Sequence, residues 1–300
     1  MTLPEHDRFA YIPLPARRTY EWPNGTRLAF TINNNIEHFA YRAGLGADPA
    51  IPGSPAQNQR NWAWREYGNR VGIWYYFDVL DEYQLPASHN VNSALLDACP
   101  AIGKRMRERG DEFVGHSRTN SERQDLMWEQ DEARMIAECT DVLTRHAGQR
   151  PTGWLGAWLA QSNVTLDLLK EAGYSYVMDW PADDQPFWMR TRSGPILSVP
   201  YPVEINDVPA MITRQQAAGD FEAAIIDQFD QMLRLSAQYP LVCSIVCHPF
   251  VIAQPFRLAG LRRALDHIMQ RRDEIWLTTP GEIARYCMSL PAGTIPGSDS

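Results

Sequence analysis

Ionisable side chains follow several segments that have strand-like composition. Glu37 and His38 come shortly after the apolar run AFTI, and His116 follows EFVG. Asp179 ends the stretch YSYVMD, and His248 follows LVCSIVC. In α/β folds the carboxyl ends of parallel strands meet at one edge, where active sites are built. A carboxylate and an imidazole that meet there suit general acid–base catalysis, in which one side chain takes a proton from water and another protonates a leaving group.

Each of these residues also has a purely structural interpretation. The asparagines at 33–35 are typical of a turn, because asparagine tolerates left-handed backbone and bonds to its own chain. Asp179, Asp183 and Asp184 lie near prolines and are equally typical of turns. A single histidine at a strand end is more often a packed residue than a catalytic one. Four strands that end in ionisable groups favour a catalytic edge.

The elements that must position these groups alternate between strand and helix about seven times along the 300 residues. This alternation predicts an α/β fold with parallel strands and right-handed crossovers, and its single uninterrupted run favours a barrel over an open sheet. We predict an extended N-terminal arm over residues 1–26, one barrel domain over 27–290 and a loose tail over 291–300.

Helical spacing predicts helices over Val71–Tyr83 and Ser121–His146, and a third over Ala94–Arg109 that breaks or restarts at Pro100. The long segment from Ala40 to Asn69 shows no such pattern. Long connections in compact domains are often lids or binding loops. Its aromatic residues favour an ordered lid, and a tolerated surface insertion is the alternative.

Composition and charge narrow the class of partner. The formal net charge of −8 argues against nucleic acid or an anionic membrane. No apolar run approaches the roughly 20 residues of a membrane span, and the charged, proline-rich start does not resemble a signal peptide. The five cysteines are typical of reduced thiols. We expect a cytoplasmic protein that acts on a small molecule, and the N-terminal arm suggests a homo-oligomer.

Common catalytic signatures are missing from the sequence. It contains no G-x-S-x-G, Walker A, dinucleotide-binding glycine pattern, C-x-x-C or H-E-x-x-H. Esterase-type serine chemistry, nucleotide binding and zincin-type metal chemistry therefore lack their usual signals.

Five short stretches nevertheless occur in a fixed order, and they are NIEHF, HSRTN, RPTGW, YVMDWPADDQPFW and HPFVIAQPFR. Together they resemble the motifs of the polysaccharide deacetylase (NodB-homology) superfamily, which implies a single-domain distorted (β/α)7 barrel. The first motif of that family ends in a base and a metal-binding aspartate, which implies Glu37 as the base and His38 at the ligand position. The third and fifth imply that Arg150 orients the base and that His248 is the general acid.

The resemblance also implies which residues form the rest of the site. The second family motif supplies two histidine ligands, and HSRTN keeps His116 but has Asn120 in place of the second. The implied metal site, if a metal is bound, would use His38, His116 and Asn120. The implied substrate-binding residues are His116, Asn120, Trp154, Asp183, Asp184 and Trp188. Zinc prefers three or more nitrogen, sulfur or carboxylate ligands, so the missing histidine favours an enzyme that requires no cofactor over one that uses zinc or another divalent metal.

RPTGW, DWPADDQPFW and HPFVIAQPFR resemble more narrowly the branch of cofactor-independent allantoinases and cyclic-imide hydrolases. That resemblance implies hydrolysis of a non-peptide carbon–nitrogen bond, in a small cyclic amide, imide or ureide, by Glu-activated water. One alternative is a metal-dependent N-deacetylase of an acetylated sugar or polysaccharide, whose rings the many tryptophans would contact. A second alternative is a non-catalytic barrel that binds a small molecule.

Overall fold

The computed structural model describes residues 5–42 and 58–298. Within them, nine strands form one curled sheet, with neighbours in the order β6-β7-β5-β4-β3-β2-β1-β8 and with β9 beside β1. The strands are β1 Leu28–Ile36, β2 Ser88–Val91, β3 Glu112–Gly115, β4 Gly153–Trp154, β5 Tyr176–Val177, β6 Phe187–Met189, β7 Ile196–Ser198, β8 Leu241–Cys247 and β9 Ile275–Leu277. Every pairing is parallel except that of β6 with β7. The parallel strands therefore bring their carboxyl ends to one edge.

The helices connect successive strands and cover the outside of the sheet. They are α1 Gln59–Tyr67, α2 Ile73–Glu82, α3 Ser93–Ala98, α4 Pro100–Arg109, α5 Glu129–Ala147, α6 Thr165–Glu171, α7 Ala218–Leu235, α8 Pro255–Met269 and α9 Pro280–Ser289. Successive residues of β1 pack into two different hydrophobic clusters, because side chains alternate between the two faces of a strand. Leu28 and Phe30 pack in the larger cluster with the helices, whereas Ala29 packs with Ile283 of α9 in the smaller one. None of these helices is long and apolar enough to cross a membrane.

Irregular chain, rather than another strand, covers the free edge of β8. The Val242 N–H donates to the Asp184 carbonyl at 2.9 Å, and the Val246 N–H donates to the Ile205 carbonyl at 3.0 Å. Asn206 forms an isolated parallel bridge with Val246. The sheet is thus a curled half-barrel, and the predicted barrel class is confirmed. We call residues 199–209, which follow β7 and include this bridge, the closing segment.

The interpretation of the asparagines at 33–35 as a turn is wrong, since all three lie inside β1 and are buried. Each finds a partner on another part of the chain. The Asn33 amide donates to Ser244 Oγ at 2.6 Å, and the Asn35 amide donates to the Tyr201 hydroxyl at 2.8 Å. The Asn34 amide lies 3.1 Å from His89 Nδ1. These contacts satisfy the three amide nitrogens, which would otherwise be costly in a strand buried on both faces, whereas Asn34 Oδ1 has no hydrogen-bond partner in the described part of the chain.

The predicted helix over 121–146 begins late, because α5 starts only at Glu129. Gln124 is buried in the loop before it, where its amide donates to Glu132 Oε1 at 2.8 Å and its carbonyl accepts from Ser117 Oγ at 3.1 Å. These two hydrogen bonds hold the loop around Gln124 in a conformation that is not α-helical, so α5 cannot begin earlier. The predicted Ala40–Asn69 loop contains the helix α1. Residues 43–57 of this loop, the predicted lid, lie outside the described residues.

Both ends of the described chain pack on the barrel. Arg8 makes a bidentate ion pair with Asp167 at 2.8 and 2.9 Å, and Trp22 is 1% exposed. At the other end Ile295 is buried, and the Pro296 carbonyl accepts from the Trp188 N–H at 2.8 Å. The prediction of a loose tail is therefore wrong for residues 291–298, which are pinned by apolar burial and a backbone hydrogen bond.

Candidate active site

A cavity of about 340 Å³ opens at the carboxyl edge of the sheet. Its walls include the aromatic side chains of Trp64, Trp158 and Phe250. The polar side chains that line it are Asn35, Glu37, Arg65, His116, Asn120, Tyr201, Asn206, Thr213 and His248. The ends of β1, β3 and β8 thus converge on one cavity, as the pattern of ionisable strand ends predicts.

Glu37 is the carboxylate of this cavity, and its side chain is 9% exposed. Its Oε1 accepts a hydrogen bond from the Asn120 amide at 2.5 Å. The Nε2 atoms of His248 and His116 lie 3.5 and 3.9 Å from the same oxygen. Burial by itself raises the pKa of Glu37, but the two imidazoles favour the charged form and hold the pKa at about 2. Glu37 is therefore ionised throughout the neutral range.

His248 is held by a second carboxylate, Asp207. Its Nδ1 lies 2.7 Å from Asp207 Oδ1, and its backbone N–H donates to Asp207 Oδ2 at 2.8 Å. Burial lowers the pKa of His248, but the negative charges of Asp207 and Glu37 outweigh burial and raise it to about 9. At neutral pH His248 is an imidazolium whose Nδ1–H faces Asp207 and whose Nε2–H faces Glu37.

The orientation of the Asn120 amide is fixed by a chain of hydrogen bonds that starts at backbone groups. Asn92 Oδ1 accepts from the His38 N–H at 2.7 Å, so the Asn92 amide nitrogen faces the other way. That nitrogen donates to the His116 carbonyl and, at 3.0 Å, to Asn120 Oδ1. Asn120 must therefore turn its own amide nitrogen toward Glu37.

These contacts decide whether His38, His116 and Asn120 fit a metal, which the fold family implies. Asn120 presents N–H rather than an oxygen to the cavity. His38 is tied to Asn92 through its backbone, and its side chain is not among those that line the described cavity. No three histidine, cysteine, aspartate or glutamate side chains of residues 5–42 and 58–298 lie together in a way that could hold a metal ion. The donor set does not fit a metal, and we derive no step through one.

His116 is a different case, because its ring faces the Glu37 carboxylate. Its Nδ1 lies 2.7 Å from the Leu155 carbonyl, which can only accept, so Nδ1 carries a proton. Its Nε2 is buried without a hydrogen-bond partner in the described part of the chain and points toward Glu37. A contact of His116 with a substrate, as predicted, would use this Nε2 atom.

Arg150 does not orient Glu37, contrary to the role implied by the resemblance. It is exposed and donates to the Ala172 carbonyl. It precedes β4, so it lies at the amino ends of the strands, in a separate cavity with Asp111 and Thr279. Because β4 is only two residues long, the sequence does not show whether Arg150 lies at the amino end or the carboxyl end of the strand.

Four predicted substrate-binding residues also lie elsewhere. Trp154 is 0% exposed and packs on Tyr174, with ring centroids 5.3 Å apart. Asp183 pairs with Arg17 of the N-terminal arm at 2.6 Å, so its charge is already neutralised. The other two are displaced because the chain leaves the carboxyl edge of the sheet after β5. Asp184 lines a separate cavity beside the closing segment, and Trp188 lies in the edge strand β6.

Several residues of the site were not anticipated. Arg65 on α1, Trp158 and Leu159 after β4, and Tyr201 and Asn206 of the closing segment line the cavity, and Asp207 is bonded to His248. The sequence gives little local indication of them, since only Arg65 lies in one of the helices α1–α9 or strands β1–β9.

The rim residues Trp158 and Leu159 adopt φ angles of 67° and 53°, which non-glycine residues rarely do. Buried Asp179 accepts from the Gly156 N–H at 2.6 Å and so supports this strained turn. Burial raises the pKa of Asp179 to about 7. The strand-end aspartate that the sequence singles out is thus a support of the rim rather than a cavity residue.

Comparison with known proteins finds similar sequences. Residues 66–177 match the family model for polysaccharide deacetylase. This part of the chain is similar to the polysaccharide deacetylases. A peptidoglycan deacetylase of Helicobacter pylori is 22% identical over 244 residues, which cover 71% of this chain and 82% of that protein. The resemblance inferred from the five sequence motifs is confirmed.

Two solved structures are similar over almost their whole length. PuuE allantoinase is 25% identical, with a TM-score of 0.81 and coverage of 92% of this chain and 94% of that one. A probable polysaccharide deacetylase from Pseudomonas aeruginosa PAO1 is also 25% identical, with a TM-score of 0.79 and coverage of 88% and 92%. The predicted class, a hydrolase related to enzymes that act on carbon–nitrogen bonds, is confirmed at this level.

Proposed function

We propose that the protein hydrolyses a small cyclic amide, imide or ureide, with Glu37 as the base that activates water and His248 as the general acid. One observation carries the proposal: an ionised carboxylate and an imidazolium lie 3.5 Å apart in a buried cavity. The surroundings keep Glu37 deprotonated and His248 protonated. One group can then accept a proton while the other donates one, as in other acid–base catalytic pairs.

The reaction follows from these two groups. Glu37 takes a proton from water as the water oxygen bonds to the ring carbonyl carbon. The carbonyl oxygen becomes an oxyanion, and the tetrahedral intermediate collapses when His248 Nε2–H protonates the ring nitrogen and the carbon–nitrogen bond breaks. The products are a carboxylic acid and a free nitrogen on one opened chain. The proton held by Glu37 returns to His248 across the 3.5 Å contact.

The lining of the cavity supports a small ring that carries carbonyl groups. Its volume of about 340 Å³ is at the lower end of small-ligand sites. Trp64 and Phe250 pack edge to face at 4.9 Å and form an apolar wall for a flat ring. N–H and O–H donors predominate among the polar groups, whereas Glu37 is an acceptor. Imides and ureides offer carbonyl acceptors to many donors and a ring N–H to few acceptors.

The alternative of an N-deacetylase of an acetylated sugar is favoured by the match to the peptidoglycan deacetylase and by Trp158, which is 38% exposed at the rim and offers a ring face to a sugar. The donor set around Glu37 weighs against it, because Asn120 turns its amide nitrogen inward. We therefore keep this function as the second candidate.

Assays on purified protein separate the candidates. We expect ring opening of at least one member of a panel of succinimide, hydantoin, dihydrouracil and allantoin, followed by the appearance of a carboxylate by NMR. N-acetylglucosamine oligomers in the same assay should release no acetate. Release of acetate without ring opening would overturn the proposal, and binding without either reaction would indicate a non-catalytic barrel.

We also predict that hydrolysis does not require a metal ion. Incubation with EDTA or dipicolinate, followed by gel filtration, should leave kcat unchanged, because no step passes through His38, His116 and Asn120 as ligands. Metal content is measured on the same sample by mass spectrometry. Loss of activity on chelation, with recovery on adding zinc back, would contradict this prediction.

A further inference from the structure

Two hydrogen-bond donors of the closing segment face the cavity, and neither has an acceptor among residues 5–42 and 58–298. Tyr201 is 2% exposed and Asn206 is 4% exposed, and both line the cavity together with Glu37 and His248. Neither is part of the acid–base pair. Their orientations can be worked out from backbone groups whose hydrogen-bonding roles are fixed.

The Tyr201 hydroxyl must accept from Asn35. The Asn35 amide nitrogen lies 3.4 Å from the Cys247 carbonyl, which can only accept, so this side of the amide is the donor. The same nitrogen donates to the Tyr201 hydroxyl at 2.8 Å, while Asn35 Oδ1 accepts from Asn90 at 3.2 Å. The hydroxyl proton of Tyr201 is left over, and no acceptor for it exists among residues 5–42 and 58–298.

Asn206 is fixed by the same logic. Its Oδ1 accepts from the Val208 N–H at 3.2 Å, so its amide nitrogen must face away from the backbone. The backbone of Asn206 is itself held by the bridge to Val246 and by the Ala210 N–H, which donates to its carbonyl at 3.0 Å. The amide nitrogen has no acceptor in the described part of the chain.

We propose that the Tyr201 hydroxyl and the Asn206 amide bind the carbonyl oxygen of the substrate and stabilise the oxyanion that forms on it. The inference rests on the proposed hydrolysis and assigns the oxygen-binding part of that site. A donor that faces a cavity without a protein acceptor is completed by water or by a ligand. Two such donors on one rigid segment, beside the base and the acid, form a preorganised site for developing negative charge.

The chemistry of Tyr201 suits this role. Burial, with the nearby charge of Glu37, raises the pKa of Tyr201 well above its usual range, although the hydrogen bond from Asn35 lowers it. The phenol therefore keeps its proton and donates a hydrogen bond without transferring the proton. As water adds to the carbonyl carbon, the π electron pair moves to the oxygen, and both hydrogen bonds strengthen. When the carbon–nitrogen bond breaks, the pair returns and the oxygen becomes the carbonyl of the new carboxyl group.

The decisive variant is Tyr201→Phe, which removes one oxygen atom and keeps the ring. We expect kcat for the ring substrate to fall by roughly 10²–10³-fold, as for other oxyanion donors, with a much smaller change in KM. Asn206→Asp keeps Oδ1 for Val208 but replaces the donor, and it should lower kcat at least as much. Tyr174→Phe is the matched control, because Tyr174 is equally buried but bonds to Thr140 outside the cavity. It should keep wild-type kcat.

The outcomes separate this inference from the proposed function. If the wild type opens a ring and Tyr201→Phe does so with the same kcat, the oxygen-binding role is wrong and the function stands. If the wild type binds succinimide or hydantoin by calorimetry without opening it, the function fails, and the donors are tested by affinity. About five-fold weaker binding by Tyr201→Phe then supports them, because one neutral hydrogen bond is lost, and unchanged binding overturns them. A wild type that neither binds nor opens the panel overturns both.

Discussion

Glu37→Gln should abolish most of the turnover of a ring substrate, with kcat reduced by about 10²–10⁴-fold, the range that a positioned general base contributes. The amide of glutamine has nearly the size of the carboxylate but cannot take a proton from water. The substitution also removes the charge that faces the Nε2 atom of His248 at 3.5 Å. Steady-state kinetics on the panel measures the effect, and circular dichroism confirms that the fold is retained.

Arg150→Ala is the matched control for this experiment. The family resemblance implies that Arg150 orients the base, whereas the structure places it at the amino ends of the strands, bonded to the Ala172 carbonyl. Its kcat should equal that of the wild type. A large loss of kcat in Arg150→Ala, or near-normal kcat in Glu37→Gln, would contradict the assignment of the base.

Asp207→Asn should lower kcat by a similar factor of about 10²–10⁴, because the general acid loses the charge that keeps it protonated. In the wild type the pKa of His248 is about 9, so activity should fall only as pH rises through about 9. In the variant this basic limb should move down toward the ordinary histidine value of about 6.5. The pH dependence of kcat measures the move, and an unshifted limb would contradict the role of Asp207.

The pH dependence of the free energy of unfolding gives a second test of Asp207→Asn. A histidine whose pKa is raised on folding stabilises the fold fully below its unfolded pKa of about 6.5, and this contribution is lost as pH rises through the folded pKa. The variant should therefore be destabilised most in mild acid and little above about 9. Asp230→Asn is the control, because Asp230 pairs with His267 at 2.8 Å on the exposed surface. It should change neither the limb nor the stability appreciably, since exposed pairs contribute about 0–1 kcal/mol.

The part of the site that the sequence predicts is the part that parallel topology determines. Glu37, His116 and His248 each come directly after a strand, and parallel pairing must bring such residues to one edge. Asn120 follows because it lies four residues beyond His116 in the same loop. No knowledge of tertiary contacts is needed for this step, which is why these four residues line one cavity.

The rest depends on contacts that have no local pattern. Asp207 and Tyr201 lie outside the helices α1–α9 and the strands β1–β9, and their positions come from the bonds of Asp207 to His248 and of Tyr201 to Asn35. Two-residue strands such as β4 give too short a pattern to place Arg150 at the correct end. Trp188 lies away from the cavity for another reason. Its strand β6 runs antiparallel to β7, so the carboxyl end of β6 points away from the edge where the parallel strands end.

The closing segment has an evolutionary consequence. A strand in a ladder can gain or lose a residue only by shifting its whole register, which turns buried side chains to the other face. The closing segment is held at β8 by the carbonyl of Ile205 and the bridge of Asn206, and Tyr201 and Asp207 are held by side-chain hydrogen bonds, but the segment is not part of a strand ladder. Val203 and Val208, which line the cavity, can therefore be exchanged while β1, β3 and β8 keep their positions. One barrel can in this way acquire new substrates without altering the strands that carry Glu37 and His248.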